Sequence, residues 1–94
     1  MSEIVDGSLV PQLASTFRFQ WEAVQDCYVI LYPEGMVKLS RSAGAIMQRC
    51  DGNNSVDDII RDLHLEFPDV ELSEDVHTFL TQARKNGWIR CTTR

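Results

Sequence analysis

The sequence predicts an α+β domain, a winged-helix-like arrangement in which a three-stranded antiparallel sheet is followed by three short helices. Two apolar runs patterned for strands, residues 17–22 and 27–32, precede a third and shorter one at 36–39. The apolar period then lengthens to i, i+3, i+4 and i+7 in three successive segments, each bounded by Ser, Gly or Pro where helices start and stop. Ninety-four residues with 44% in the apolar set can bury one modest core and leave no room for a second.

Residues 1–10 lack periodicity and contain Gly7 and Ser8, so they are expected to form a flexible N-terminal arm, with the single domain spanning 11–94 from Pro11. In Phe17-Arg-Phe-Gln-Trp-Glu22 the residues alternate strictly, so Phe17, Phe19 and Trp21 share the buried face of a half-buried strand. Cys27 to Tyr32 is apolar on both faces, as a central strand requires. Pro33-Glu-Gly35 fits a tight hairpin, with Pro33 presetting φ for a type I turn and Gly35 expected in the left-handed conformation. It folds Met36-Val-Lys-Leu39 back onto the central strand, with Val37 and Leu39 on one face and Met36 and Lys38 on the other. The outer edge of that strand is expected to be free. Backbone groups of one parity bond inward and those of the other face outward, and both assignments are open at this point.

Ala43, Ile46, Met47 and Cys50 form the first helical stripe, preceded by Ser40 or Ser42 as cap and followed by Gly52. The second stripe is Val56, Ile59, Ile60, Leu63 and Phe67, with Ser55 and Asp58 spaced as a capping box and Pro68 as its stop. The third is Val76, Phe79, Leu80 and Ala83. Ser73 is its expected cap, and Gly87 ends it before Trp88 and Ile89 return to the core.

The formal charge of −5 is unevenly spread, because residues 51–75 hold Asp51, Asp57, Asp58, Asp62, Glu66, Asp69, Glu71, Glu74 and Asp75 against the one base Arg61. Phosphate would be repelled there, so the second and third helices make poor readers of nucleic acid, whatever the fold suggests. A small winged-helix DNA-binding or regulatory protein is therefore the alternative and not the first reading. The late bases Arg84 and Lys85 are a candidate partner contact. Cys27, Cys50 and Cys91 are an odd number at spacings that suit neither a disulfide framework nor a metal site, and are expected to be reduced thiols. His64 and His77 lie on separate helices without a catalytic motif, so no catalytic residue, metal or cofactor is expected and the protein is read as a non-enzyme. The longest apolar run is far short of a bilayer span, and no secretory segment opens the chain, which points to a cytoplasmic protein without a membrane partner.

Tyr32-Pro-Glu-Gly-Met-Val-Lys-Leu39, continuing into Ser42-Ala43, Ile46-Met47 and Cys50-Asp-Gly52, resembles the PqqD family of pyrroloquinoline quinone biosynthesis. Phe17 to Trp21, Ser55-Val56, Ile59-Ile60, Val76, Phe79-Leu80 and Gly87-Trp-Ile89 fall in the family's order, so the resemblance covers roughly residues 9–90. Met47 and Ser40 depart from the commoner Leu and Asn. The resemblance implies a peptide chaperone, also known as a RiPP recognition element, that binds the precursor peptide PqqA and presents it to the radical SAM enzyme PqqE. It implies a groove in which the peptide adds a strand, lined by Met36, Val37, Lys38 and Leu39 on one side and by Val76, Phe79, Leu80 and Ala83 on the other. A homodimer is a further expectation. An open edge supplies a row of N–H and C=O groups for such a peptide, and pockets beside it supply selectivity.

Overall fold

In the computed structural model residues 7–93 are described. Their elements run β1 Leu9–Leu13, β2 Arg18–Glu22, β3 Cys27–Tyr32, β4 Gly35–Lys38, α1 Arg41–Met47, α2 Val56–Glu66, α3 Ser73–Lys85 and β5 Ile89–Thr93. The expected three-stranded antiparallel sheet is present in the order β2-β3-β4, and the three helices follow it. A second, two-stranded sheet pairs β1 with β5 antiparallel, from Leu9 opposite Thr93 to Leu13 opposite Ile89.

That second sheet was not expected, and it moves the start of ordered structure. Of the arm assigned to residues 1–10, residues 1–6 lie outside the described residues, but Leu9 and Val10 belong to β1 and Val10 is buried. Pro11 sits inside this strand and does not open the domain. Its missing N–H costs no bond to β5. Ala14 N donates to Trp88 O, which makes the even-numbered residues of β1 the ones bonded to β5, so Pro11 turns its backbone the other way. There Pro11 O accepts from Gly52 N and Leu13 N donates to Cys50 O, so the 50–52 segment flanks β1 on its second side.

Local signals decide the helix ends. Ser40, not Ser42, caps α1, its hydroxyl accepting from Ala43 N at 3.2 Å. Ser55 and Asp58 form the expected capping box on α2, at 3.1 and 2.9 Å. Pro68 then holds Phe67 outside the helical region, at φ −127°, and α2 ends. Ser73 does not cap α3: it is the first helical residue, and both its N–H and its hydroxyl donate to Glu71. Those two bonds hold the Glu71 carboxyl below its ordinary range. At the other end Gly87 takes φ 78°, Gly87 N donates to Arg84 O and Trp88 N to Ala83 O, a complete Schellman motif.

The core lies between the inner face of the three-stranded sheet and the helices, with Ile30, Ile46, Ile59, Leu63, Val76 and Leu80 at its centre. Gly44 of α1 lies against Tyr28, where a Cβ would come within 3.0 Å of the ring, so α1 rests directly on β3. Phe19 stacks on Tyr28 with ring centroids 4.8 Å apart. Trp21, expected on the buried face, meets Tyr28 edge-on at 5.0 Å but is 50% exposed, because it lies at the end of the sheet.

Candidate functional site

β4 is short because both of its ends are fixed locally. Tyr32 pairs with Gly35, leaving only Pro33 and Glu34 in the turn, and Gly35 is a strand residue that does not take the left-handed conformation expected of it. Ser40 begins the cap of α1 two residues after Lys38. Between these limits Met36, Val37 and Lys38 face Leu31, Ile30 and Val29.

Leu39 N donates to Tyr28 O at 3.0 Å, which fixes the hydrogen-bonding parity of the whole hairpin. In an antiparallel ladder bonded pairs recur at every second residue, so Leu39, Val37 and Gly35 bond toward β3. The N–H and C=O groups of Met36 and Lys38 therefore point to the outer edge, where no strand pairs with β4 among the described residues. Side chains follow a different rule. Val37 is half-buried against the core and Leu39 is buried, while Met36, 42% exposed, and Lys38 lie on the outer face of the sheet.

Beyond the end of β4 a groove of about 410 Å³ runs between α1 and α3. Ser40, Ser42, Ala43 and Ile46 form one wall, and Asp75, Thr78, Phe79 and Gln82 form the other. Of the four α3 residues expected to line a groove, the structure places only Phe79 on it. Val76, Leu80 and Ala83 have no accessible surface and belong to the core. Phe79 lies at the border of the core stripe, half-buried, its ring 6.3 Å from Trp88. Asp75, Thr78 and Gln82 were missed because the sequence was read for its apolar stripe. The polar residues at i−4, i−1 and i+3 from Phe79 mark its accessible flank.

Arg84 and Lys85 are both exposed and, as consecutive helical residues, lie on different sides of α3. Lys85 follows Gln82 by three residues and continues the groove-facing side of α3. Arg84 faces β5, where its charge favours the Cys91 thiolate against the burial that pushes that thiol up. Cys50, buried beneath α1, donates to Ile46 O, and desolvation pushes its pKa up to about 12. Neither thiol is poised as a nucleophile.

The sequence profile described as Coenzyme PQQ synthesis protein D (PqqD) matches residues 27–89. A protein of Azotobacter vinelandii named PqqA binding protein is 51% identical over 81 residues, covering 85% of this chain and 88% of that one. A protein of the same name from Stutzerimonas stutzeri is 46% identical over 90 residues, covering 95% and 97%. Among solved structures, the solution NMR structure of the PqqD truncation of Methylobacterium extorquens PqqCD superposes with a TM-score of 0.76 at 25% identity, over 90% of this chain and 93% of that one. That truncation is described as a functional and stand-alone RiPP recognition element.

Proposed function

Because the chain belongs to the PqqD family of coenzyme PQQ synthesis proteins, we propose that it binds the precursor peptide PqqA as a strand added along β4 and presents it to the radical SAM enzyme PqqE, catalysing no step itself. One observation carries this reading: the edge of β4, unpaired among the described residues, turns the backbone groups of Met36 and Lys38 outward beside the groove between α1 and α3. The relatives' name, PqqA binding protein, supports the identity of the peptide.

The energetics divide the labour. Two residues offer four main-chain groups, each worth about 0.5–1.5 kcal/mol net, while fixing each residue of an extended peptide costs about 1–2 kcal/mol. The edge therefore sets direction and register, and side chains in the groove supply the surplus that makes binding measurable. Phe79 offers the apolar floor for one peptide side chain, and Asp75 and Lys38 place opposite charges at the groove and the strand edge. Lys85 extends the cationic side toward the enzyme. No helix among the described residues is long and apolar enough to cross a membrane, and we place the encounter with PqqA and PqqE in the cytoplasm.

Titration of PqqA into the wild-type chain and into Lys38→Pro tests the mechanism. The Pro variant should stay folded and lose binding, since it removes an outward N–H; wild-type affinity in the folded variant would rule out strand addition. A homodimer through the same edge is the competing use of β4. It would appear as a dimer in sedimentation that PqqA dissociates.

A further inference from the structure

A second cleft, of about 510 Å³, lies beside the groove and shares Ser40, Ser42 and Ile46 with it. Its remaining walls are Arg41 and Ala45 of α1 and the turn between α2 and α3, Phe67, Val70 and Leu72. We infer that this cleft is a second subsite for the same peptide, which leaves the edge of β4, crosses the N-terminal turn of α1 over Ser40 and Ser42, and seats one apolar side chain between Phe67, Val70 and Leu72 with an acidic neighbour against Arg41. This rests on the strand-addition reading above and extends it past the end of the strand.

Four observations carry the inference. The two cavities adjoin, with Ser40, Ser42 and Ile46 lining both, and Ser40 follows Leu39 directly where the chain leaves β4. A peptide following β4 meets it next. The outward-bonding part of β4 ends at Lys38, so an occupant held only there would be held by very few bonds. Val70 is 47% exposed, a large apolar side chain on a connecting turn that the described residues cover only in part. Finally, Arg41 stands at the cleft mouth, exposed and without an ion-pair partner among the described residues, although acids dominate this part of the chain. An unpaired base beside an apolar recess selects an apolar residue next to a carboxylate and repels a basic one, while the surrounding acids disfavour a phosphate-bearing ligand.

The test uses the full chain, PqqA as probe, and two variants. Val70→Glu puts a charge in the cleft at an exposed position, so its melting temperature should equal that of the wild type while its affinity for PqqA falls about tenfold. Lys38→Pro should lose binding altogether. Alanine scanning of PqqA should then show one apolar position whose replacement weakens wild-type binding about tenfold and weakens Val70→Glu no further, the signature of two groups in contact. Wild-type affinity in Val70→Glu would overturn the subsite, and if Lys38→Pro still fails to bind, strand addition would stand without it. Loss in Val70→Glu with full binding by Lys38→Pro would keep the cleft as the peptide's seat and remove the strand. If Val70→Glu instead turns a dimer into a monomer and binds PqqA normally, the cleft belongs to a second copy and the inference fails.

Discussion

Phe79 and Leu80 are neighbours in sequence with opposite surroundings, since Leu80 has no accessible surface while Phe79 lines the groove. Leu80→Ala should therefore cost about 2–5 kcal/mol of stability and leave the peptide affinity of the folded fraction unchanged. Phe79→Ala should lower both, and thermal melts set beside PqqA titrations separate the two terms. Equal losses of affinity in both variants, after correction for the unfolded fraction, would mean that Phe79 acts only through the core. Cys50 supplies a second test at this scale. Burial keeps its thiol protonated to about pH 12 in the folded chain, whereas the unfolded chain ionises it from about 9. Between those values the unfolded state binds fewer protons, so stability falls as pH rises, by about 1.4 kcal/mol per unit at most. In Cys50→Val, which keeps an apolar group of similar size, denaturant melts from pH 8 to 11 should show a shallower decline; an unchanged slope would assign the alkaline loss to other groups.

At the scale of elements, the parity of β4 makes a proline scan decisive. Val37→Pro removes an N–H that bonds toward β3 and should unfold the hairpin, whereas Met36→Pro and Lys38→Pro remove outward groups and should leave the circular dichroism spectrum intact. Folded Val37→Pro would mean that the hairpin's bonding pattern is reversed. At the end of α3, Gly87→Ala forces a side chain into φ 78°, although among the described residues no atom beyond its two chain neighbours lies within 4 Å of the added carbon. Its cost should be the backbone term alone, about 1–2 kcal/mol in a thermal melt. The elements most legible in the sequence are those with local causes: the Ser55–Asp58 capping box, the stop at Pro68 and the Gly87 terminus each depend on residues a few positions apart. Ser73 misled because Glu71, two residues earlier, competes for its hydroxyl. The groove on α3 was half legible, since periodicity identifies the stripe that faces inward but not how far burial extends across it. Phe79 reaches the groove wall, whereas Val76, Leu80 and Ala83 lie in the core.

For the whole molecule, the pairing of β1 with β5 was the least legible feature, because partners at opposite ends of the chain leave no local signal and Pro11 reads as a break. A chain beginning at residue 11 would lose Leu9, Val10 and their pairing to Thr93 and Thr92, and with Val10 a buried side chain worth about 1.5–3 kcal/mol. Such a truncation should melt roughly 6–24 °C lower than one beginning at residue 7, at about 4–8 °C per kcal/mol for a domain of this size; equal melting temperatures would show that these residues of β1 add nothing to stability. Charge is likewise a property of the whole: the acids of residues 51–75 surround α2 and the start of α3, so PqqA binding should depend on salt through the few bases near the groove, Lys38, Arg41 and Lys85. The antiparallel β1–β5 ladder also sets Leu9 opposite Thr93, with Cα atoms about 4.5–5.5 Å apart. Residue 93 can therefore be joined to residue 9 through a short glycine linker, and new termini opened in the exposed turn at 23–26, giving a circular permutant in which the strand edge and both cavities keep their neighbours.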